Sequence, residues 1–251
     1  MLVTDLPYRP PRPDALLGSP GRAWDYQASP DLVDTLRTQV QCHFDSYTSQ
    51  HIEKTTIPLY LFLSGAGTGK SRNAAELHQT TYKCFNGHYF QRNDKLVNLI
   101  RDSFVFHASF ENGTSILPCE KDPLLAIGSR MLLQLIQDEA GTLSLEDVHA
   151  KFHQPTPLAL IRFFAKQNTE RAFFLVVDGL KNVQDIFGET ILMQTLTALG
   201  DLSQQGFIIV CGTSLSYSLI DKVLQGSQQR RVLLRCTSLE PPRINDKPVF
   251  N

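Results

Sequence analysis

The chain has 251 residues, 42% hydrophobic and 20% charged, which excludes a fully disordered polypeptide and leaves enough apolar residues for one sizeable core. Its 24 Lys and Arg against 25 Asp and Glu give a formal charge of -1, so no global attraction for nucleic acid or anionic lipid is expected. No apolar run approaches the roughly 20 residues of a membrane span, and the N-terminus lacks the basic start and apolar middle of a signal peptide.

Residues 1–29 hold Pro7, Pro10, Pro11, Pro13 and Pro20 without a sustained apolar period, and read as an extended arm or linker. Ser29-Pro30-Asp31 then pairs an N-cap with a proline in the first turn. Leu32, Val33, Leu36, Val40, Phe44 and Tyr47 follow at helical spacing and predict an amphipathic helix over 30–49. Beyond it, the strand candidates are Ile57–Leu63, Phe104–Phe110, Ala172–Val177, Phe207–Cys211 and Val232–Cys236. Three carry nearly continuous apolar runs, as strands buried on both faces of a parallel sheet do. Helices are predicted between them at Leu124–Gln137, Leu158–Lys166, Glu189–Leu202 and Leu215–Leu224. This alternation predicts an α/β, doubly wound domain over 30–240, followed by a tail at 241–251.

The most informative stretch is Leu61–Glu76, LFLSGAGTGKSRNAAE, in which an apolar strand runs into a glycine-rich turn and Lys70-Ser71 opens a helix. That is the setting of a phosphate-binding loop. Ser64, Gly65, Ala66, Gly67, Thr68, Gly69, Lys70 and Ser71 form the candidate nucleotide site. The glycines permit a backbone wrap whose N–H groups face a triphosphate, and the positive end of the helix dipole adds to that field. Lys70 is placed to reach the β- and γ-phosphates, and the Ser71 hydroxyl to coordinate Mg²⁺. The chain departs from G-x-x-x-x-G-K-[ST] at one point, where Ser64 stands for the first glycine; serine is small, and Gly65 follows.

Asp178 ends the run Phe173–Val177, so it is expected to hold the Mg²⁺ beside Ser71, as a Walker B aspartate does. The residues after it, Gly179, Leu180, Lys181 and Asn182, supply no acid to orient an attacking water. Glu111, at the end of the Phe104–Phe110 strand, is the candidate base; Asp185 is a weaker one, and the absence of any base is a third option. Thr213 and Ser214 end the fourth strand and are candidate γ-phosphate sensors, with a turn and N-cap as the competing reading. Arg230, Arg231 and Arg235 flank the last strand, where basic residues more often guard an edge than bind phosphate. His149 and His153 read as a solvated helix face, and His107 has no visible partner. The five cysteines, Cys42, Cys84, Cys119, Cys211 and Cys236, form no C-x-x-C pair and read as single thiols.

Five strands in this order, with the acid on the third, resemble the additional-strand P-loop ATPases, and DGL after an apolar run resembles their signalling (STAND) branch. The phrases FLSGAGTGKSRNAAELH, FVFHASFENGT, EKDPLLAIGSRMLLQL, FFLVVDGL, ILMQTLTALGDL, FIIVCGTS and LEPPRINDKPVF together resemble the Crinkler effectors of oomycete plant pathogens over about residues 30–251. The resemblance implies a five-stranded parallel sheet of order 5-1-4-3-2. It also implies a protein secreted into the host plant cell and reaching its nucleus. The family's LxLFLAK header has no match in residues 1–50, and the stretch after the fifth strand leaves little room for a STAND lid. The leading expectation is a Mg²⁺-dependent nucleoside triphosphatase that turns over slowly and acts as a switch. ATP is favoured over GTP, since no guanine-specific motif stands out. The alternative is a non-catalytic module that binds a host protein, its loop degenerate or only structural. A nucleic-acid partner is the least supported reading, because neither a carboxylate cluster nor a basic stripe is present.

Overall fold

The structure is a computed structural model, and it describes residues 6–12, 25–86, 93–111, 114–137, 142–167, 171–214 and 229–236. Five strands form one sheet: β1 (Leu59–Leu63), β2 (Phe104–Ser109), β3 (Phe173–Asp178), β4 (Ile208–Ser214) and β5 (Arg231–Leu234). Their order is β2-β3-β4-β1-β5, and every neighbouring pair is parallel. This is the expected order 5-1-4-3-2 viewed from the other edge.

The strands explain why the sheet is covered on both faces. Side chains alternate across a strand, so Leu59 and Leu61 of β1 enter one core while Tyr60 and Phe62 enter the other. The same split separates Phe173, Leu175 and Val177 from Phe174 and Val176 in β3. On the second face lie α1 (Pro30–Thr48), α2 (Lys70–Ala75), α3 (Leu77–Asn86) and α4 (Asp94–Arg101). The first face carries α5 (Pro123–Ile136), α6 (Leu145–Lys151), α7 (Pro157–Gln167), α8 (Leu180–Phe187) and α9 (Glu189–Ser203).

Local signals set several boundaries. The Ser29 side chain accepts from the Leu32 N–H at 3.3 Å, with Pro30 opening α1. Asp122 caps α5 through Leu124 N–H at 2.7 Å, and Ser144 with Asp147 forms a capping box on α6. The expected helix at Leu215–Leu224 and the tail at 241–251 lie outside the described residues.

Residues 6–12 form neither helix nor strand, but they are tied to the sheet. Leu6 is buried in the core, and the Tyr8 ring packs on Phe104, Phe106 and Phe164. The Tyr8 hydroxyl accepts from Val105 N–H at 2.8 Å and donates to Val105 O at 3.2 Å. Gln134 of α5 does similar work two residues on, accepting from His107 N–H at 3.1 Å. Together they satisfy outward backbone groups of β2, an edge strand that would otherwise offer them to another chain.

Candidate functional site

In a parallel sheet every strand ends on the same side, and ligands gather there. Here the loop after β1, the last residue of β3, the end of β4 and the turn after β2 all converge on that side. Register makes the convergence close. Ser109 pairs with Asp178, Val177 with Gly212, and Phe62 with Thr213.

The candidate phosphate loop runs from Ser64 to Gly69 before α2 begins at Lys70. Gly67 (φ +75°) and Gly69 (φ +80°) occupy the left-handed region that side chains disfavour, so the wrap depends on them. Ser64 takes part in the wrap rather than merely replacing a glycine. Its hydroxyl lies 2.5 Å from that of Thr68, which donates to Gly65 O at 2.8 Å, and 3.3 Å from the Cys236 thiol beyond β5. Lys70 Nζ donates to Gly65 O at 2.6 Å, holding its ammonium over the loop.

Asp178 receives two hydroxyl protons on one oxygen. Ser71 donates to Oδ1 at 3.1 Å and Thr213 at 2.6 Å, while Thr213 itself accepts from Gly179 N–H at 2.9 Å. The other oxygen, Oδ2, is buried with no hydrogen-bond partner among the described residues. Asp178 is 1% exposed, and its pKa is raised above the ordinary value, first by burial and then by the Glu111 charge, against the lowering pull of Thr213. An orphaned carboxylate oxygen beside a hydroxyl whose lone pairs stay free is a hard-oxygen donor set that fits Mg²⁺.

Glu111 lies beside Asp178. A Cβ built on Gly179 would stand 2.8 Å from Glu111 Cγ and 3.3 Å from its Oε1. Gly179 is therefore required twice, by its φ of +84° and because Glu111 fills the space a side chain there would need. The missing acid after Asp178 has a physical counterpart: a side chain at 179 and Glu111 in this position compete for one volume. Asn182 of α8 fastens the same corner, donating to Phe110 O at 2.8 Å.

Other candidates separate. Asp185 pairs with Lys181 one turn back on α8, where both side chains reach solvent. Thr213 serves Asp178, and Ser214 is buried at the end of β4 with its carbonyl accepting from Ser64 N–H at 3.3 Å. Arg230 donates to Thr56 O and Gln39, and Arg235 pairs with Asp31, so neither bonds the loop. The cysteines are free thiols, and no metal-holding His/Cys/Asp/Glu cluster occurs among the described residues. No helix there is long and apolar enough to cross a membrane. The solvated reading of His149 is corrected: its side chain is 8% exposed and meets Glu120 Oε1 at 3.2 Å, whereas His153 lies beyond α6 and is exposed. Sequence reasoning also passed over Arg130, Glu120 and Asn182. A lone arginine in the apolar run PLLAIGSRMLLQLI was the available signal, since such a charge is rarely buried unless paired.

No family model matches the sequence. Among solved structures, the chain is similar in fold to the ORC1 protein of Aeropyrum pernix in complex with DNA, at 15% identity and a TM-score of 0.41, covering 90% of this chain and 49% of that one. Drosophila ORC bound to AT-rich DNA and Cdc6 gives 14% identity and a TM-score of 0.34, covering 84% and 59%. Likeness at this level is too loose to bear on function. Among curated proteins, Crinkler effector protein 108 of Phytophthora sojae is 31% identical over 250 aligned residues. The match covers 93% of this chain and 29% of the relative, so the chain spans less than a third of that protein's length. That agreement, along almost the whole of this chain, supports its membership of the Crinkler family.

Proposed function

We propose that residues 30–240 form a nucleotide-binding domain that takes up Mg²⁺ with a nucleoside triphosphate, ATP in preference to GTP, and hydrolyses it slowly as a switch. The observation that carries this reading is the meeting of Ser71, Thr213 and Asp178, whose Oδ2 lacks a partner, with Glu111 beside them and the glycine loop above. Lys70 and the N–H groups of Gly65–Ser71 hold the phosphate oxygens. Ser71 and Asp178 would hold the metal, and the Thr213 hydroxyl, oriented by Gly179 N–H, fixes the Asp178 carboxylate through Oδ1. Mg²⁺ supplies charge neutralisation to phosphate oxygens. Glu111 orients the attacking water and takes its proton. Family membership supports a role for this domain in an effector delivered into the host plant cell and acting in its nucleus.

Calorimetric titration with ATP and GTP, with and without Mg²⁺, tests the reading against Lys70→Ala. Lys70 bonds only a loop carbonyl among the described residues, so the variant should fold. Its Mg²⁺-dependent affinity should drop at least about 100-fold, or about 2.7 kcal/mol. Equal affinity in both proteins would refute the site. A folded wild type that binds neither nucleotide would favour the alternative, a module that engages a host protein directly.

A further inference from the structure

We propose that Arg130 is the positioning residue for Glu111, gripping both flanks of the loop that carries this carboxylate to Asp178. The proposal rests on the reading of Glu111 given above and extends it to the residues that hold it.

Arg130 projects from the middle of α5 and is 3% exposed, and its ion-pair partner Glu120 is 4% exposed. All three guanidinium nitrogens are used. Nε donates to Ser109 O at 2.7 Å; Nη2 donates to Thr114 O at 2.8 Å and Ser115 O at 3.0 Å; Nη1 donates to Ala126 O at 2.8 Å. The two Nη atoms also clasp Glu120 at 2.7 and 3.1 Å, in the bidentate fork that only arginine offers. Its plane lies over the Phe110 ring, 4.4 Å from the centroid. Ser109 before Glu111 and Thr114 and Ser115 after it are therefore held by one side chain.

Glu111 is then locked between them. Its N–H donates to Ser109 Oγ at 3.0 Å, and its carbonyl accepts from Ser109 Oγ at 3.0 Å and Thr114 Oγ1 at 2.9 Å. With the backbone committed, only side-chain torsions remain, and Gly179 leaves the opening they use. His149 braces Glu120 from behind and is itself held by Gln154. A buried ion pair is weak as a source of stability, because well-packed apolar residues often do as well. Its chemistry here, aimed at loop carbonyls, suits geometry rather than stability.

The test uses the full chain with Arg130→Met, Thr114→Val and Glu111→Gln, singly and combined. Thr114→Val keeps the buried ion pair and carries the test should Arg130→Met not fold. Two readouts are needed. In the first, Arg130→Met lowers kcat about 100-fold with Mg-ATP affinity kept, and adds nothing further in the Glu111→Gln background. Losses that multiply would make Arg130 merely structural and overturn the proposal. In the second, amide hydrogen exchange of the Glu111 N–H, which donates to Ser109 Oγ, is followed without nucleotide. It should quicken in Arg130→Met and Thr114→Val, which release the backbone on the two sides of Glu111, and stay slow in Glu111→Gln, which alters only the side chain. Exchange as slow in Arg130→Met as in the wild type overturns the proposal. This second readout stands without turnover: a chain in which Glu111→Gln leaves hydrolysis intact loses the base assignment, while the exchange still decides what Arg130 holds.

Discussion

Acidification from pH 8 to pH 5 should destabilise this protein through two histidines that must be neutral when folded. His43 of α1 is fully buried between Tyr60 and Phe207, with ring centroids at 6.4 and 5.0 Å, and neither ring nitrogen has a partner among the described residues. Burial, helped by the Arg230 charge, pushes its pKa down to about 3. Burial, helped by His78, pushes that of His107 down to about 4. In the unfolded chain both return to about 6.5. Above that value neither state binds the proton, and the full stability is present. Below it the unfolded state gains protons that the folded state refuses, so stability falls by about 1.4 kcal/mol per histidine per pH unit. From 6.5 to 5 this amounts to about 2 kcal/mol for each, or about 4 kcal/mol together, against a usual total of about 5–15 kcal/mol. His78, lowered by burial against its bond to Ile100 O, adds in the same sense; Asp178 works in the opposite one, since its raised pKa adds stability as the pH falls, while Glu120, held low by Arg130, loses stability only at still lower pH. Guanidinium unfolding at pH 8, 6.5 and 5 reads the effect, with His43→Leu as the comparison. The variant should lose about half as much stability over this range. It should be no weaker at pH 8, because two unpartnered buried nitrogens are gone. An unchanged pH dependence in His43→Leu would refute the reasoning.

Gly179→Ala should cost about 1–2 kcal/mol from its left-handed backbone and displace Glu111, so thermal melts and turnover should both fall while Mg-nucleotide affinity holds; unaltered turnover would separate Glu111 from the chemistry. Gly128→Ala places a Cβ 1.8 Å from Pro155 O, a backbone atom, and should lower the denaturation midpoint by about 3 kcal/mol of stability. Tyr8→Phe leaves Val105 N–H and C=O without their hydroxyl partner and should cost about 1–3 kcal/mol, seen as faster amide exchange at Val105. Mg-nucleotide affinity should weaken as pH falls through the raised pKa of Asp178, because only the carboxylate binds the cation. Calorimetry across buffers of different ionisation heat should register the released proton, and Asp178→Asn should abolish both.

What could be read from sequence was local. The strand, glycine loop and helix of the candidate phosphate site are contiguous, and Asp178 follows directly on an apolar run, so chain order alone set them out. Continuous apolar strands announced a sheet buried on both faces, because alternate residues must then all be apolar. Short α8 was missed, although Leu180 and Val183 stand at helical spacing just after Gly179, and so was α4, whose Leu96, Val97 and Ile100 follow the Asn93 cap; both are brief enough, at 8 residues, to escape a reading that looks for sustained periodicity. The company Glu111 keeps was not legible. It depends on Ser109 falling opposite Asp178 in register, and on Gly179 lacking a side chain where Glu111 passes. Arg130 and His149 likewise become intelligible only once α5 and α6 bring them onto Glu120. Tyr8 shows the same limit, since a proline-rich arm carries no periodicity to betray its docking on β2. The sequence by itself determined the loop, the acid and the layered sheet, because each is written in neighbouring residues. Tertiary structure alone decided which distant groups share the site, because register and packing between elements have no signature in any single segment.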